Sequence, residues 1–337
     1  MDIVLAGSVA FDYIMKFPGR FTDHLLPDKL DCISLSFLVE SLVRQRGGIA
    51  PNIAYNFALL GGKSRLFATV GEDFTEYGAW LKQLGVDLSL VRTIEGVNTA
   101  SFFANTDRDN NQIASFYPGA MSYAGELSFY DLDGKHPDLV FISPTDPAAM
   151  NKYVQECQEL FIPYIYDPSQ QIVRLSPDDL RKGIQGAKAL FVNEYEFSLV
   201  QKHASMDLPE ILPQVEFLVI TMAENGARIY SGSDSWDVAA FPPRIIKDPT
   251  GVGDAFRGGF LAGLSRGRGL QFCGDLGALS ATFCLEAEGP QGQSYTIEDY
   301  VRRFRELHDD GGLLEKMFGL NAPAANHKGE IPYGISY

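Results

Sequence analysis

The stretch Asp248-Pro249-Thr250-Gly251-Val252-Gly253-Asp254-Ala255-Phe256 sets two glycines two residues apart and a carboxylate directly after the second. Helix-spaced apolar residues follow at Ala255, Phe256, Phe260, Leu261 and Leu264. At a helix N-terminus the first backbone N–H groups have no internal partner and carry the positive end of the dipole. Glycines let that backbone come close to a phosphate. Asp254 then lies beside the anion, where it can take a proton from a hydroxyl attacking it. Donors for the charge plus a base for an alcohol are the minimum kit for phosphoryl transfer. The short G-x-G-D alone is equally served by a tight turn with an acid at the favourable end of a helix.

The longer D-x-T-G-x-G-D-A-F is far more specific. It resembles the C-terminal signature of the ribokinase-like, or pfkB, family of small-molecule kinases, with Val252 where Ala is usual. The resemblance implies Asp254 as catalytic base, with Gly251, Val252 and Gly253 as the anion hole. A second signature lies roughly 200 residues upstream, where Gly47-Gly48-Ile49-Ala50-Pro51-Asn52 leads into a helical apolar stripe that Gly61 stops. It resembles the family's N-terminal motif, whose diglycine and Asn hold hydroxyls of a sugar or a ribose. Two look-alikes fail. Gly62-Lys63-Ser64 lacks the first glycine of a P-loop, and Phe256 stands where a dinucleotide fingerprint needs its third glycine.

The chain has 337 residues, 45% of them hydrophobic and 21% charged. That is enough for one large α/β domain with an accessory element, or for two smaller domains. A formal net charge of −15 without a Lys/Arg cluster argues against nucleic-acid binding. Cys32, Cys157, Cys273 and Cys284 form no C-x-x-C pair, so scattered free thiols are expected. Met1–Leu5 lacks the basic region and apolar run of a signal peptide, and no stretch approaches the ~18 apolar residues of a membrane span. A cytoplasmic enzyme without membrane contact is the expectation.

Ile3–Ala6 reads as a buried strand, with Gly7-Ser8 and Phe11-Asp12-Tyr13 at its carboxyl end, the edge where α/β sheets bind ligands. Asp12 is a ligand contact there or an ordinary exposed Asp. Residues 14–45 read as irregular but too apolar for a disordered linker. Residues 99–106 and 112–117 flank the polar turn Asp107–Asn111, a hairpin signal. Its aromatics fit a plain edge hairpin, or a flap whose Phe102 and Phe116 stack on a flat ligand. From residue 138 strands and helices alternate, which argues for a mostly parallel sheet covered on both faces.

The hairpin region resembles the lid of bacterial adenosine kinases of this fold, in which two phenylalanines lie against the adenine. The turn Asp167-Pro168-Ser169-Gln170-Gln171, with Arg174, resembles their nucleoside pocket. Asn193-Glu194-Tyr195-Glu196 matches the family's N-x-x-E, whose Glu orders Mg²⁺ through water; by itself Glu196 is equally a first-turn helix acid. Thr221-Met222-Ala223-Glu224-Asn225-Gly226 resembles the ATP-contacting T-x-G-x-x-G, with Ala223 in place of the first glycine. Asp248 and Ser294 are candidates for a K⁺ site of the family type.

These readings imply a ribokinase-like three-layer α/β/α sandwich with a small β lid. Residues 1–8, 47–96 and 121–310 would form the main domain, 9–46 and 97–120 the lid, and 311–337 a tail. The implied reaction is ATP-dependent phosphorylation of adenosine at the 5′-hydroxyl. Ser8, Asp12, Ser36, Gly48, Asn52, Gln170 and Arg174 would hold the nucleoside together with Phe102 and Phe116, and Asn193, Thr221, Ala223 and Gly226 the ATP. A kinase for another nucleoside or a free sugar is the alternative, and a non-catalytic nucleoside-binding protein the second. Apolar lid faces in this family sometimes pair between subunits, so the resemblance also admits a homodimer through the lid.

Overall fold

Four consecutive apolar residues, all buried, form β1 (Ile3–Ala6), as expected of a strand covered on both faces. The computed structural model describes residues 1–25, 31, 34–132, 134 and 136–320. After β1 the chain runs through β2 (Ala10–Lys16), β3 (Ser41–Gly47), α1 (Ile49–Leu59), β4 (Arg65–Val70), α2 (Thr75–Gln83) and β5 (Val91–Thr93). Then come β6 (Ala100–Thr106), β7 (Gln112–Tyr117), β8 (Leu139–Ile142), α3 (Pro147–Glu159), β9 (Tyr164–Tyr166) and α4 (Pro177–Ile184). They are followed by β10 (Ala189–Asn193), α5 (Glu194–Ala204), α6 (Leu208–Ile211), β11 (Phe217–Thr221), β12 (Ala227–Ser231) and β13 (Asp234–Val238). The helices α7 (Val252–Leu264) and α8 (Leu270–Leu285) follow.

Among the described residues nine strands make one sheet in the order β13-β12-β11-β10-β9-β8-β1-β4-β5. From β11 to β5 the neighbours are parallel, while β12 and β13 are antiparallel additions. Alternate residues serve opposite faces. Val4, Val140, Ile142 and Leu190 join a core with Tyr153 of α3, Leu180 of α4 and Val200 of α5. On the other face Phe191 meets Phe260 of α7 edge-on at 5.1 Å, and α7 packs between α1 and α8. The result is the expected three-layer, mostly parallel sandwich.

The second sheet is the lid, in the order β3-β2-β6-β7. The expected hairpin is β6–β7, and its turn is tied by Asp107, which accepts hydrogen bonds from the N–H groups of Phe21, Asp109 and Asn111. Residues 14–45 are not wholly irregular. Ile14–Lys16 continues β2, and Ser41–Gly47 pairs with it antiparallel. In β3 Leu42, Val43 and Arg44 are all exposed, so its apolar residues do not alternate with a core face and the strand signal is lost. The apolar content of this stretch condenses instead into a ring cluster, with Phe17 and Phe21 stacked at 5.5 Å and Phe37 at 4.9 Å from each.

By contacts the chain divides into Met1–Tyr295, which holds both sheets, and Thr296–Tyr337. The second unit contains α9 (Ile297–Phe304), capped by the Thr296 hydroxyl accepting from Asp299 N–H at 3.1 Å, and α10 (Leu313–Phe318). Within it Arg305 pairs with both Asp310 and Glu315. Cys157, Cys273 and Cys284 are buried free thiols, and Cys32 lies outside the described residues. Among the described residues no helix is long and apolar enough to cross a membrane.

Candidate active site

The signature loop turns into α7 at Gly251, whose φ of 79° is left-handed, a region that glycine enters without penalty. A Cβ there would also run into Pro290. The helix begins at Val252, three residues ahead of the start suggested by the apolar spacing. Gly253 and Asp254 therefore sit in its first turn, where backbone N–H groups lack a helical acceptor and can receive an anion. Asp254 is partly exposed. Loss of water nonetheless pushes its carboxyl up to about 7, opposed by the Arg257 cation and the Asn52 amide and reinforced by Asp167 and Glu196.

Asn52 Nδ2 donates to Asp254 Oδ2 at 2.8 Å. Gln291 Nε2 donates in turn to Asn52 Oδ1 at 2.7 Å and to the Tyr77 hydroxyl at 2.6 Å, and that hydroxyl donates to the Gly47 carbonyl at 3.0 Å. A polar chain thus runs from the carboxylate on α7 through α1 and α2 to the root of the lid. The diglycine explains itself sterically. A Cβ on Gly48, at φ 90°, would stand 2.6 Å from the Ser8 carbonyl, and one on Gly47 would stand 2.5 Å from Asp12 Oδ2. Asp12 therefore nests against Gly47, and burial followed by the nearby Asp248 carboxylate pushes it up to about 6. A crevice of about 350 Å³ opens here, lined by Phe11, Arg44, Arg46, Tyr77, Glu288 and Gln291 among others.

On the lid, register settles which side chains share a face. Asp12 pairs with Phe102 across β2–β6, Phe102 with Phe116 across β6–β7, and Asp12 with Gln45 across β2–β3. Gln45, Asp12, Phe102 and Phe116 thus form one row on one face. Phe102 is half-buried and Phe116 is 50% exposed.

Most of the remaining candidates lie at carboxyl ends of parallel strands. Ser8 follows β1, and its N–H donates to the Pro144 carbonyl at 2.8 Å. Gln170 and Arg174 are exposed beyond β9; Arg174 Nη1 donates to Gln171 Oε1 at 3.3 Å. Asn193 and Thr221 are register partners at the ends of β10 and β11. Asn193 caps α5 in a capping box with Glu196, whose two carboxylate oxygens accept from Asn193 N–H and the Ser169 hydroxyl. Ala223 holds φ 48° and Gly226 φ 84°, so Ala223 stands in a left-handed backbone that glycine adopts more freely. Asp248 accepts from the N–H groups of Thr250 and Gly289, whereas Ser36 and Ser294 are exposed.

Three residues of the site carried no reading in the sequence: Tyr77, Gln291 and Arg257. Tyr77 and Gln291 belong to no motif. Arg257 had a signal, a lone cation in the apolar helix that starts at the signature. Its Nε and Nη2 grip Asp167, with Nη2 at 2.9 Å from Oδ1.

A carboxylate held ready beside an anion-receiving helix start is what a phosphotransferase with a hydroxyl acceptor requires. The chain belongs to the pfkB family of carbohydrate kinases, whose family model matches residues 10–297. Its relatives include the nucleoside kinase of Methanocaldococcus jannaschii, 30% identical over 309 residues, which are 90% of this chain and 97% of that one. The cytidine kinase of Thermococcus kodakarensis is 31% identical over 86% of this chain and 98% of its own length. The structure of Burkholderia thailandensis nucleoside kinase in complex with inosine aligns with a TM-score of 0.80 at 34% identity, over 94% of this chain and 98% of that one.

Proposed function

We propose that the protein is a nucleoside kinase that transfers the γ-phosphoryl group of ATP to the 5′-hydroxyl of adenosine. The observation that carries this reading is the lid row, in which Asp12 shares a face with two phenylalanine rings, Phe102 half-buried and Phe116 half open. A ribose with its base needs that pairing of a carboxylate for hydroxyls and rings for a flat heterocycle. The similarity to nucleoside kinases over nine tenths of the chain supports the acceptor class. Adenosine among nucleosides rests on the resemblance of the lid, and the cytidine kinase among the relatives keeps other nucleosides as the second reading.

In this account Asp12, Gly48 and Asn52 hold the ribose, Phe102 and Phe116 the base, and Ser8, Ser36, Gln170 and Arg174 the rim of the pocket. The 5′-oxygen attacks the γ-phosphorus, its proton passes to Asp254, and the bond to the β-phosphate oxygen breaks to release ADP. Backbone N–H groups of the Gly251–Gly253 turn take up charge on the moving group. Asn193, Thr221, Ala223 and Gly226 line the ATP side. Oxygen donors at this edge suit Mg²⁺, and Glu196, with both oxygens engaged by protein donors, would reach it through water. Mg²⁺ would supply charge neutralisation on the phosphates. K⁺ at Asp248 and Ser294, a homodimer through the lid and a cytoplasmic location belong to the same proposal.

ATP consumption against adenosine, inosine, guanosine, cytidine, ribose and fructose tests it. A rate on adenosine far above the rest is expected. Turnover confined to ribose or fructose would overturn the role of the aromatic row.

A further inference from the structure

Arg257 brings a full charge into the apolar middle of α7 with 6% of its surface exposed. Helical side chains lean toward the N-terminus, so each covers the residue four places earlier. Arg257 accordingly runs back over Gly253, where a Cβ would stand 2.9 Å from Nη1. Nε and Nη2 make two parallel hydrogen bonds to the Asp167 carboxylate, which is fully buried directly after β9. With two nitrogens held by Asp167, Nη1 is left on the side of the first turn of α7. A side chain at position 253 would therefore press on the clamped guanidinium.

A buried ion pair is an inefficient way to fasten a helix, since apolar residues of similar volume often stabilise as well or better. What an apolar pair cannot supply is a fixed positive charge beside Asp254. The charged groups that act on Asp254 are Arg257 on its own helix, Asp167 after β9 and Glu196 on α5, and the neutral Tyr77 hydroxyl of α2 and Cys284 thiol of α8 also lie within reach of its charge. Two of the three are carboxylates that favour protonation of a third, and Arg257 is the cation opposing them.

We infer that Arg257, clamped by Asp167, is a positioning residue for phosphoryl transfer that favours the ionised form of Asp254 and seats the helix turn bearing the anion-binding N–H groups. The inference rests on Asp254 as the base. A bidentate clamp fixes the guanidinium in a way a lysine ammonium cannot.

The test is the pH dependence of kcat/KM for the acceptor in Arg257→Leu and Arg257→Lys, from about pH 5 to about 9. Removing the cation should move the acid limb upward by about 1–3 pH units, so a deficit of 10-fold or more near neutrality recovers at high pH. Arg257→Lys should fall between Arg257→Leu and the wild type, and nucleoside binding should change little in either. A folded Arg257→Leu with its acid limb unmoved overturns the inference. If Arg257→Leu does not fold because Asp167 is left uncompensated, Arg257→Gln removes the cation while keeping amide donors for Asp167; a displaced limb supports the inference and an unmoved one sinks it. Asp254→Asn separates the two levels. Loss of its turnover together with an unmoved limb leaves the base standing and removes only Arg257, whereas retained turnover removes both.

Discussion

Asn52 Nδ2 lies 2.8 Å from Asp254 Oδ2 and donates to it, joining two motifs 202 residues apart in the chain. The resemblance assigns Asn52 to a sugar hydroxyl, and the structure adds a bond to the carboxylate. Bound to the ionised carboxylate, such a donor lowers its pKa. It also aims one carboxylate oxygen and leaves the other for a substrate hydroxyl.

Asn52→Ala should therefore move the acid limb of kcat/KM upward and raise the acceptor KM together. It also costs Gln291 its Asn52 partner and leaves it the Tyr77 hydroxyl. The check is a pH profile of the variant beside a KM measurement. A higher KM with an unchanged limb would leave Asn52 as a ribose contact alone.

The Asp254 carboxyl, pushed up to about 7, makes activity depend on pH in a stated direction. A base works when deprotonated, so kcat/KM should fall about 10-fold per pH unit below about pH 7 and level off above it. Stability runs the other way. The folded protein holds this proton more tightly than the unfolded chain, whose Asp titrates near ~3.9. The contribution is fully present below that value and is lost as pH rises through about 7. Melting curves of wild type and Asp254→Asn should thus show the variant gaining relative Tm at pH 8 over pH 5.

Phe116→Ala removes a ring that is half open on the lid face. Stacking of this kind contributes about 0.5–1.5 kcal/mol, so the KM for a nucleoside should rise roughly 2- to 13-fold. The KM for ATP should hold. Equal losses for ribose and adenosine would place Phe116 in lid packing instead.

Ala223, at φ 48°, pays for a backbone that glycine adopts freely. Ala223→Gly should raise stability by about 1 kcal/mol with the KM for ATP held or lowered. Gly226→Ala should do the reverse, because its Cβ would meet the Val238 carbonyl. Thermal melts of the two variants decide this.

Much of this was legible in the chain because the motifs are local. Gly251 and Gly253 announce a helix start, and Ile3–Ala6 a buried strand. The lid hairpin was readable from its polar turn, but β3 was not, because a sheet open to solvent imposes no alternation on its edge strand. The links from Asp254 through Asn52 and Gln291 to Tyr77 join four separate segments. No spacing rule connects such segments before the chain folds. Arg257 was visible as an odd charge, but its partner Asp167, 90 residues away, was not.

The most direct test of the central claim is turnover by Asp254→Asn with ATP, Mg²⁺ and adenosine, beside adenosine binding by the same variant. The account predicts a loss of kcat of at least about 10²–10⁴-fold, the share of a positioned general base, with adenosine binding retained. A variant that turns over adenosine at a near-normal rate would contradict the assignment of Asp254 and the mechanism built on it.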